Sequence, residues 1–222
     1  MPHLIVIVGP SGAGKSTLEN TFKTKRGYGK CISTTTRAIR PGEIDGVDYH
    51  YVSLETFEEM VSRNEMVETG FFGGQYYGLT KDSLNDAARN GNGVAVLVAE
   101  INGWLTIRAK MGHSYDGWRD TTGEKAAYNH WTTTGIFLYA RYGIAASRLA
   151  TRGDLFGEKL AARIAHIPTE NKNLDQFLNS PICRVLYEPT LKQCDRFVEL
   201  YDPSTAVKIP AKLPQSKFVQ KS

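Results

Sequence analysis

An apolar run, Leu4-Ile-Val-Ile-Val8, leads directly into Gly9-Pro-Ser-Gly-Ala-Gly-Lys-Ser16. Five consecutive apolar, mostly β-branched residues bounded by Gly-Pro have the pattern of a strand buried on both faces. The next eight residues match GxxxxGK[ST] at every fixed position, and a helix is predicted from Lys15 to Lys25. Strand, glycine-rich turn and helix in that order let backbone N–H groups of Gly9, Pro10, Ser11, Gly12, Ala13, Gly14, Lys15, Ser16 and Thr17 wrap a phosphate, proline excepted as a donor, with the helix dipole in support. Lys15 can neutralise β- and γ-phosphate charge and Ser16 can ligate Mg2+. The motif predicts a nucleoside triphosphate as ligand, with Mg2+ as its companion ion. It does not by itself separate a motor, a switch and a transferase.

The same alternation continues downstream. Val94–Ala99 is a second fully apolar run, and Ile136–Tyr139 a third strand. Lys30–Ser33, Val47–Val52, Met66–Glu68 and Gln75–Tyr77 read as shorter strands, and Arg196–Leu200 as a last one. Helices are predicted over Leu54–Arg63 behind a Ser53 cap, over 81–90, Asn102–Lys110 and Gly143–Arg152, and from Leu155 towards Phe177 with a break at Pro168. Strands alternating with helices imply an α/β fold, a parallel sheet covered by helices on both faces. The chain of 222 residues fits one domain over residues 1–207. Within it the expected units are a core (about 1–32, 81–142 and 180–207), a small mixed α/β unit (about 33–80) and a helical lid (about 143–179). Residues 111–134 are rich in Gly, Thr and aromatics and read as an inserted surface loop, and 208–222 as a loose basic tail.

A net charge of +4 is too small for the dense basic face of a nucleic-acid protein, yet suits an enzyme of anionic small molecules. No apolar run reaches the length of a membrane span. Cys31, Cys183 and Cys194 are odd in number and lack CxxC spacing, which points to a reducing compartment and to the cytoplasm. His3, His50, His113, His130 and His166 have no metal-ligand spacing.

A second anion site is suggested by Ile32-Ser-Thr-Thr-Thr-Arg-Ala-Ile-Arg-Pro-Gly-Glu43, in which four hydroxyls precede two arginines. Arginine forks match phosphate oxygens bidentately. Arg37 and Arg40, with the phenols of Tyr49 and Tyr77, can surround a phosphate monoester. Taken alone, two arginines in a loop are also what a solvated surface shows.

Several motifs in order resemble the guanylate kinase family: GPSGAGKSTL, STTTRAIRPGEIDGVDYHYVS and FEEMVSRNEMVETGFFGGQYYG, closely over about residues 4–107 and more weakly over about 135–205. The resemblance implies ATP-dependent phosphorylation of GMP or dGMP on a P-loop kinase core with an acceptor-binding subdomain and a lid. Arg37, Arg40, Tyr49 and Tyr77 would hold the acceptor phosphate, and Ser33 and Glu68 would read the purine. A carboxylate at Glu68 can accept from both N1–H and the exocyclic amine of guanine. Adenine offers no N1–H, and a missing partner in a closed pocket costs about 1–3 kcal/mol. The segment SRLATRGDLFGEKLAARI resembles the lid, so that Arg148, Arg152 and Arg163 would reach the ATP phosphates. Lys15, Arg37, Arg148 and Arg152 are the implied catalytic set.

Three departures stand out. The family places Ser or Thr after Tyr-Tyr-Gly, but here the position is Leu79, with Thr80 next as the substitute hydroxyl. Val98 and Glu100 occupy the two acidic positions of a DxDxxG pattern, leaving Glu100 to orient magnesium-bound water or the acceptor. The insertion is the third. Two other readings follow: a kinase for a different or modified nucleoside monophosphate, and a non-catalytic module that uses the acceptor groove for protein contacts. The retained Lys15 and Ser16 speak against the second. A GTPase switch lacks an NKxD-like motif.

Overall fold

The structure, a computed structural model, describes residues 1–111, 131–153, 156–178, 183–187 and 189–201. Most of the insertion and the whole tail therefore lie outside the described residues. Five strands form a parallel sheet: β1 (His3–Val8), β2 (Gly29–Lys30), β7 (Val94–Val98), β8 (Thr132–Tyr139) and β9 (Cys183–Tyr187), in the order β2-β7-β1-β8-β9. The smaller strands β3 (Thr34–Thr35), β4 (His50–Tyr51), β5 (Met66–Phe72) and β6 (Gln75–Thr80) make a second, mixed sheet in the order β4-β3-β6-β5. The α/β reading of the sequence therefore holds.

Alternation along β1 divides the core. Leu4, Val6 and Val8 pack with Leu97 and Phe137 against Trp104, Ile107, Leu84 and Phe177. Ile5 and Ile7 pack with Val94, Val96 and Leu138 against Leu18, Phe22 and Val198. The first layer is built by α3 (Lys81–Asn90), α4 (Ile101–Met111) and α7 (Leu174–Leu178), and the second by α1 (Lys15–Arg26) and α8 (Leu191–Leu200). His3 is buried and joins Thr132 Oγ1 (2.7 Å) to the Tyr201 hydroxyl (3.0 Å), and burial lowers its pKa to about 4. It is a core link. Among the described residues no helix is long and apolar enough to cross a membrane.

The outcome differs from the sequence reading at several elements. Arg196–Leu200 is helix, the end of α8: Thr190 and Gln193 form a reciprocal capping box, and Cys194, Phe197, Val198 and Tyr201 recur at helical spacing. The last strand is instead β9, whose short Cys-Arg-Val-Leu-Tyr run carries little pattern. Helix α6 (Gly157–Lys172) continues through Pro168, which is exposed and has no N–H to donate to the helix. Of the expected Val47–Val52 strand only His50–Tyr51 forms a strand, beside an isolated bridge from Tyr49 to Asp45, because Asp45 and Asp48 accept from the amides of Tyr51 and Ile44 and curl the chain. Lys30–Ser33 splits between the two sheets, with Gly29–Lys30 paired to β7 and the next strand beginning at Thr34. Two remaining helices are α2 (Leu54–Ser62), capped by Ser53, and α5 (Tyr142–Arg152).

Candidate active site

The P-loop follows β1, which lies between β7 and β8 in the sheet, at the carboxyl ends of the strands where α/β sheets bind ligands. Glycine is required at two of its positions for space as well as conformation. A Cβ on Gly9 (φ 147°) would lie 2.3 Å from the Leu138 carbonyl, and one on Gly12 (φ 79°) 2.5 Å from that of Ala145. The loop is thus wedged between β8 and α5 as it enters α1, whose first turn exposes Ser16 and Thr17. The Lys15 ammonium donates to the Gly9 (2.5 Å) and Pro10 (3.2 Å) carbonyls of its own loop. Arg148 Nη1, on α5, is 3.4 Å from both the Gly12 and Ala13 carbonyls. Arg152 closes α5, and its side chain lies outside the described residues.

From α6 the loop is met by Glu170. Its Oε2 accepts from the Ser11 amide at 3.0 Å, while Oε1 is buried and has no hydrogen-bond partner among the described residues. Burial raises the Glu170 pKa and the Glu100 charge adds to that, opposed by the Ser11 amide, Lys15 and Arg163. Nothing in the sequence reading singled out Glu170; an isolated carboxylate in an amphipathic helix carries no signal of what it faces.

The expected acceptor residues gather on the second sheet. Arg37 lies over two phenol rings, with Cζ 5.3 Å from the centroid of Tyr49 and 5.6 Å from that of Tyr51. Tyr77 packs edge-on to Tyr49 at 6.0 Å. Glu43, absent from the expected set, organises this group. Its Oε1 accepts from Arg37 Nη2 (2.9 Å), and its Oε2 from the Arg40 amide (2.9 Å) and the Tyr51 hydroxyl (2.7 Å). Burial would raise the Glu43 pKa, but Arg37, the Arg40 amide and the Tyr51 hydroxyl outweigh it and bring it to about 2. Arg37 Nη1 also donates to the Ala38 carbonyl at 2.8 Å. The fork of five N–H donors is thus partly engaged by Glu43 and the Ala38 carbonyl. Ser33 is half-buried and bonds through its carbonyl to the His50 amide.

Glu68 is 7% exposed and pairs directly with Leu79 across the β5–β6 hairpin, just past an irregularity at Val67. Such a bulge re-aims the following side chain. The carboxylate comes to rest against α4, where a Cβ on Gly103 would be 2.8 Å from Oε2. Burial raises the Glu68 pKa to about 7; the Leu79 amide and Lys110 oppose this, and Glu100 adds to it. Leu79 is fully buried and belongs to the core layer of Trp104 and Leu84. Thr80 alternates to the opposite face, where its Oγ caps α3 by accepting from the Ser83 amide at 3.1 Å. A cavity of about 330 Å³ on that face is lined by Thr34, Thr80 and Lys81 and contains none of the Glu68 or Arg37 groups. Glu100, half-buried just after β7, is within electrostatic reach of both Glu68 and Glu170. Arg163 stacks on Phe72 of the hairpin, 4.2 Å from its centroid.

The family described as guanylate kinase matches residues 1–115. The guanylate kinase of Wolinella succinogenes is 33% identical over 175 residues, covering 78% of this chain and 73% of that protein. The chain belongs to the guanylate kinase family. The match to guanylate kinase 2, chloroplastic/mitochondrial, of Oryza sativa subsp. japonica is 38% identical and covers 51% of this chain but 40% of that relative. The guanylate kinase of Lactococcus lactis is 38% identical over 109 residues, covering 49% of this chain and 53% of that one. The matched region thus spans about half the length, or less, of these last two relatives. In structure, the guanylate kinase of Anaplasma phagocytophilum superposes with a TM-score of 0.60 at 20% identity, covering 89% of this chain and 83% of that one. This likeness carries the guanylate kinase fold beyond the region of close sequence similarity.

Proposed function

We propose that the chain transfers the γ-phosphoryl group of ATP to GMP or dGMP in line. The observation that carries this reading is the Glu68 carboxylate, buried on the same hairpin that bears Tyr77, with the Arg37–Glu43 group alongside on β3 and its loop. A buried carboxylate is a receptor for two adjacent N–H donors, the edge that guanine presents. The phosphate of the same nucleotide meets Arg37, Arg40, Tyr49 and Tyr77, with Ser33 at the edge of the site.

The P-loop amides from Gly9 to Thr17 and Lys15 take the donor phosphates, and Arg148, Arg152 and Arg163 approach from the lid. Phosphoryl transfer asks mainly for positioning and charge neutralisation. Mg2+ supplies charge neutralisation at the phosphate oxygens when bound. Ser16, exposed on the first turn of α1, and Glu100 just after β7 suit an ion that takes most of its ligands from phosphate and water. A reducing cytoplasmic setting fits the free, buried thiols of Cys31 and Cys194.

A second reading is favoured by Leu79. Beside Glu68 the hairpin offers an aliphatic side chain where a hydroxyl was expected, and the Thr80 hydroxyl is committed to α3. With no hydroxyl beside Glu68 to read guanine, an acceptor with an altered 6-substituent is the alternative. The experiment is kcat/KM with Mg-ATP for GMP, dGMP, IMP, AMP, CMP, UMP and 6-thio-GMP. Preference for GMP and dGMP supports the first reading, and preference for 6-thio-GMP the second. Equal turnover of all acceptors overturns the role of Glu68, and no turnover overturns both readings.

A further inference from the structure

Helix α6 carries Arg163, His166 and Glu170 at intervals of three and four residues, so they share one face. The two ends of that face touch different parts of the molecule. Glu170 holds the Ser11 amide of the P-loop at 3.0 Å. Seven residues earlier, Arg163 stacks on Phe72 at 4.2 Å, and the His166 ring meets the same phenyl edge-on at 6.4 Å. Phe72 follows Glu68 and Gly70 on alternate residues of β5 and so projects from the face that bears Glu68. Phe71 points the other way and is 64% exposed.

We propose that Phe72 is a positioning residue that seats the lid's Arg163 between the acceptor and donor sites. The proposal rests on the kinase reading above. Stacking holds a guanidinium by its face and leaves its edge N–H groups to donate. None of the Arg163 N–H groups donates to a described residue, so the edge is available to phosphoryl oxygens. The Arg163 charge already reaches Glu170 beside the P-loop. Phe72 therefore aims the charge through Arg163 without touching a nucleotide itself.

The test uses the full chain with Phe72→Leu, Phe72→Tyr, Arg163→Met and the Phe72→Leu/Arg163→Met pair. Phe72→Leu should lower kcat about tenfold, with KM for GMP and ATP within about twofold and an unchanged Tm. Phe72→Tyr keeps a stacking ring and should retain wild-type kcat. In the Arg163→Met background, Phe72→Leu should cost nothing further. Unchanged kcat in Phe72→Leu, a KM effect alone, or the same loss in both backgrounds overturns the proposal while leaving the kinase reading intact. A wild-type chain that transfers no phosphate overturns both.

Discussion

Acceptor affinity should depend on pH through Glu68, which has to be ionised to accept from N1–H and the exocyclic amine together. Burial against α4, reinforced by Glu100, raises its pKa to about 7 in the free protein. A protonated carboxyl would present a donor to one of guanine's donors, so GMP binds the ionised form. The ionised fraction is near one at pH 8, about one half at pH 7 and about one tenth at pH 6. GMP should accordingly bind about tenfold more weakly at pH 6 than at pH 8, equivalent to about 1.4 kcal/mol. Near pH 7 each binding event should release about half a proton. Isothermal titration of GMP without ATP, in buffers of different ionisation enthalpy, measures both quantities. The nucleotide's own phosphate titrates near pH 6. A Glu68→Gln protein, which keeps that contribution and loses the carboxyl, supplies the baseline. An affinity profile identical in wild type and Glu68→Gln, or no proton release above that baseline, would refute the reasoning.

Gly103→Ala should separate stability from function. The new methyl would stand 2.8 Å from Glu68 Oε2, so the carboxylate has to move, while Ala is favoured over Gly within a helix by about 1 kcal/mol. GMP kcat/KM should fall by at least about tenfold with Tm unchanged or higher, measured by steady-state kinetics and calorimetry. Glu43→Gln should free Arg37 from its braced position and raise the GMP KM about tenfold, with the ATP KM unaffected in the same assay. Glu19, buried on α1 and facing Lys30, Lys23 and Asp48, has its pKa raised to about 7 by burial, against the two lysines and with Asp48. Its folded pKa is above its unfolded value, so its contribution is fully present below about pH 4.5 and is lost as pH rises through about 7. Relative to wild type, Glu19→Gln should gain about 2–3 kcal/mol between pH 4.5 and pH 8 in urea unfolding. Parallel pH profiles would count against it.

The candidate donor loop could be picked out of the sequence because its pattern is local. Gly9 to Ser16 lie between one strand and one helix, and the proposed receptor is the backbone itself, so spacing alone singles them out. The proposed acceptor arginines and tyrosines could be singled out only as a set, through an ordered resemblance. What they touch could not. Glu43 reads as one more polar loop residue until the turn at residues 40–43 brings it between Arg37, the Arg40 amide and Tyr51. Thr80 looked like a substitute for the missing hydroxyl, but strand alternation puts it on the far face.

The sequence by itself determined an α/β fold with a GxxxxGK[ST] loop after its first strand, because buried strands, glycine turns and capped helices are written in residues close along the chain. It also carried the family, through motifs kept in order. Tertiary structure alone decided that Glu68 is held buried against Gly103, that Leu79 belongs to the core, and that α6 reaches from Ser11 at one end to Phe72 at the other. Those contacts join residues far apart in the chain, and their energies depend on burial and on the groups opposite, neither of which spacing encodes.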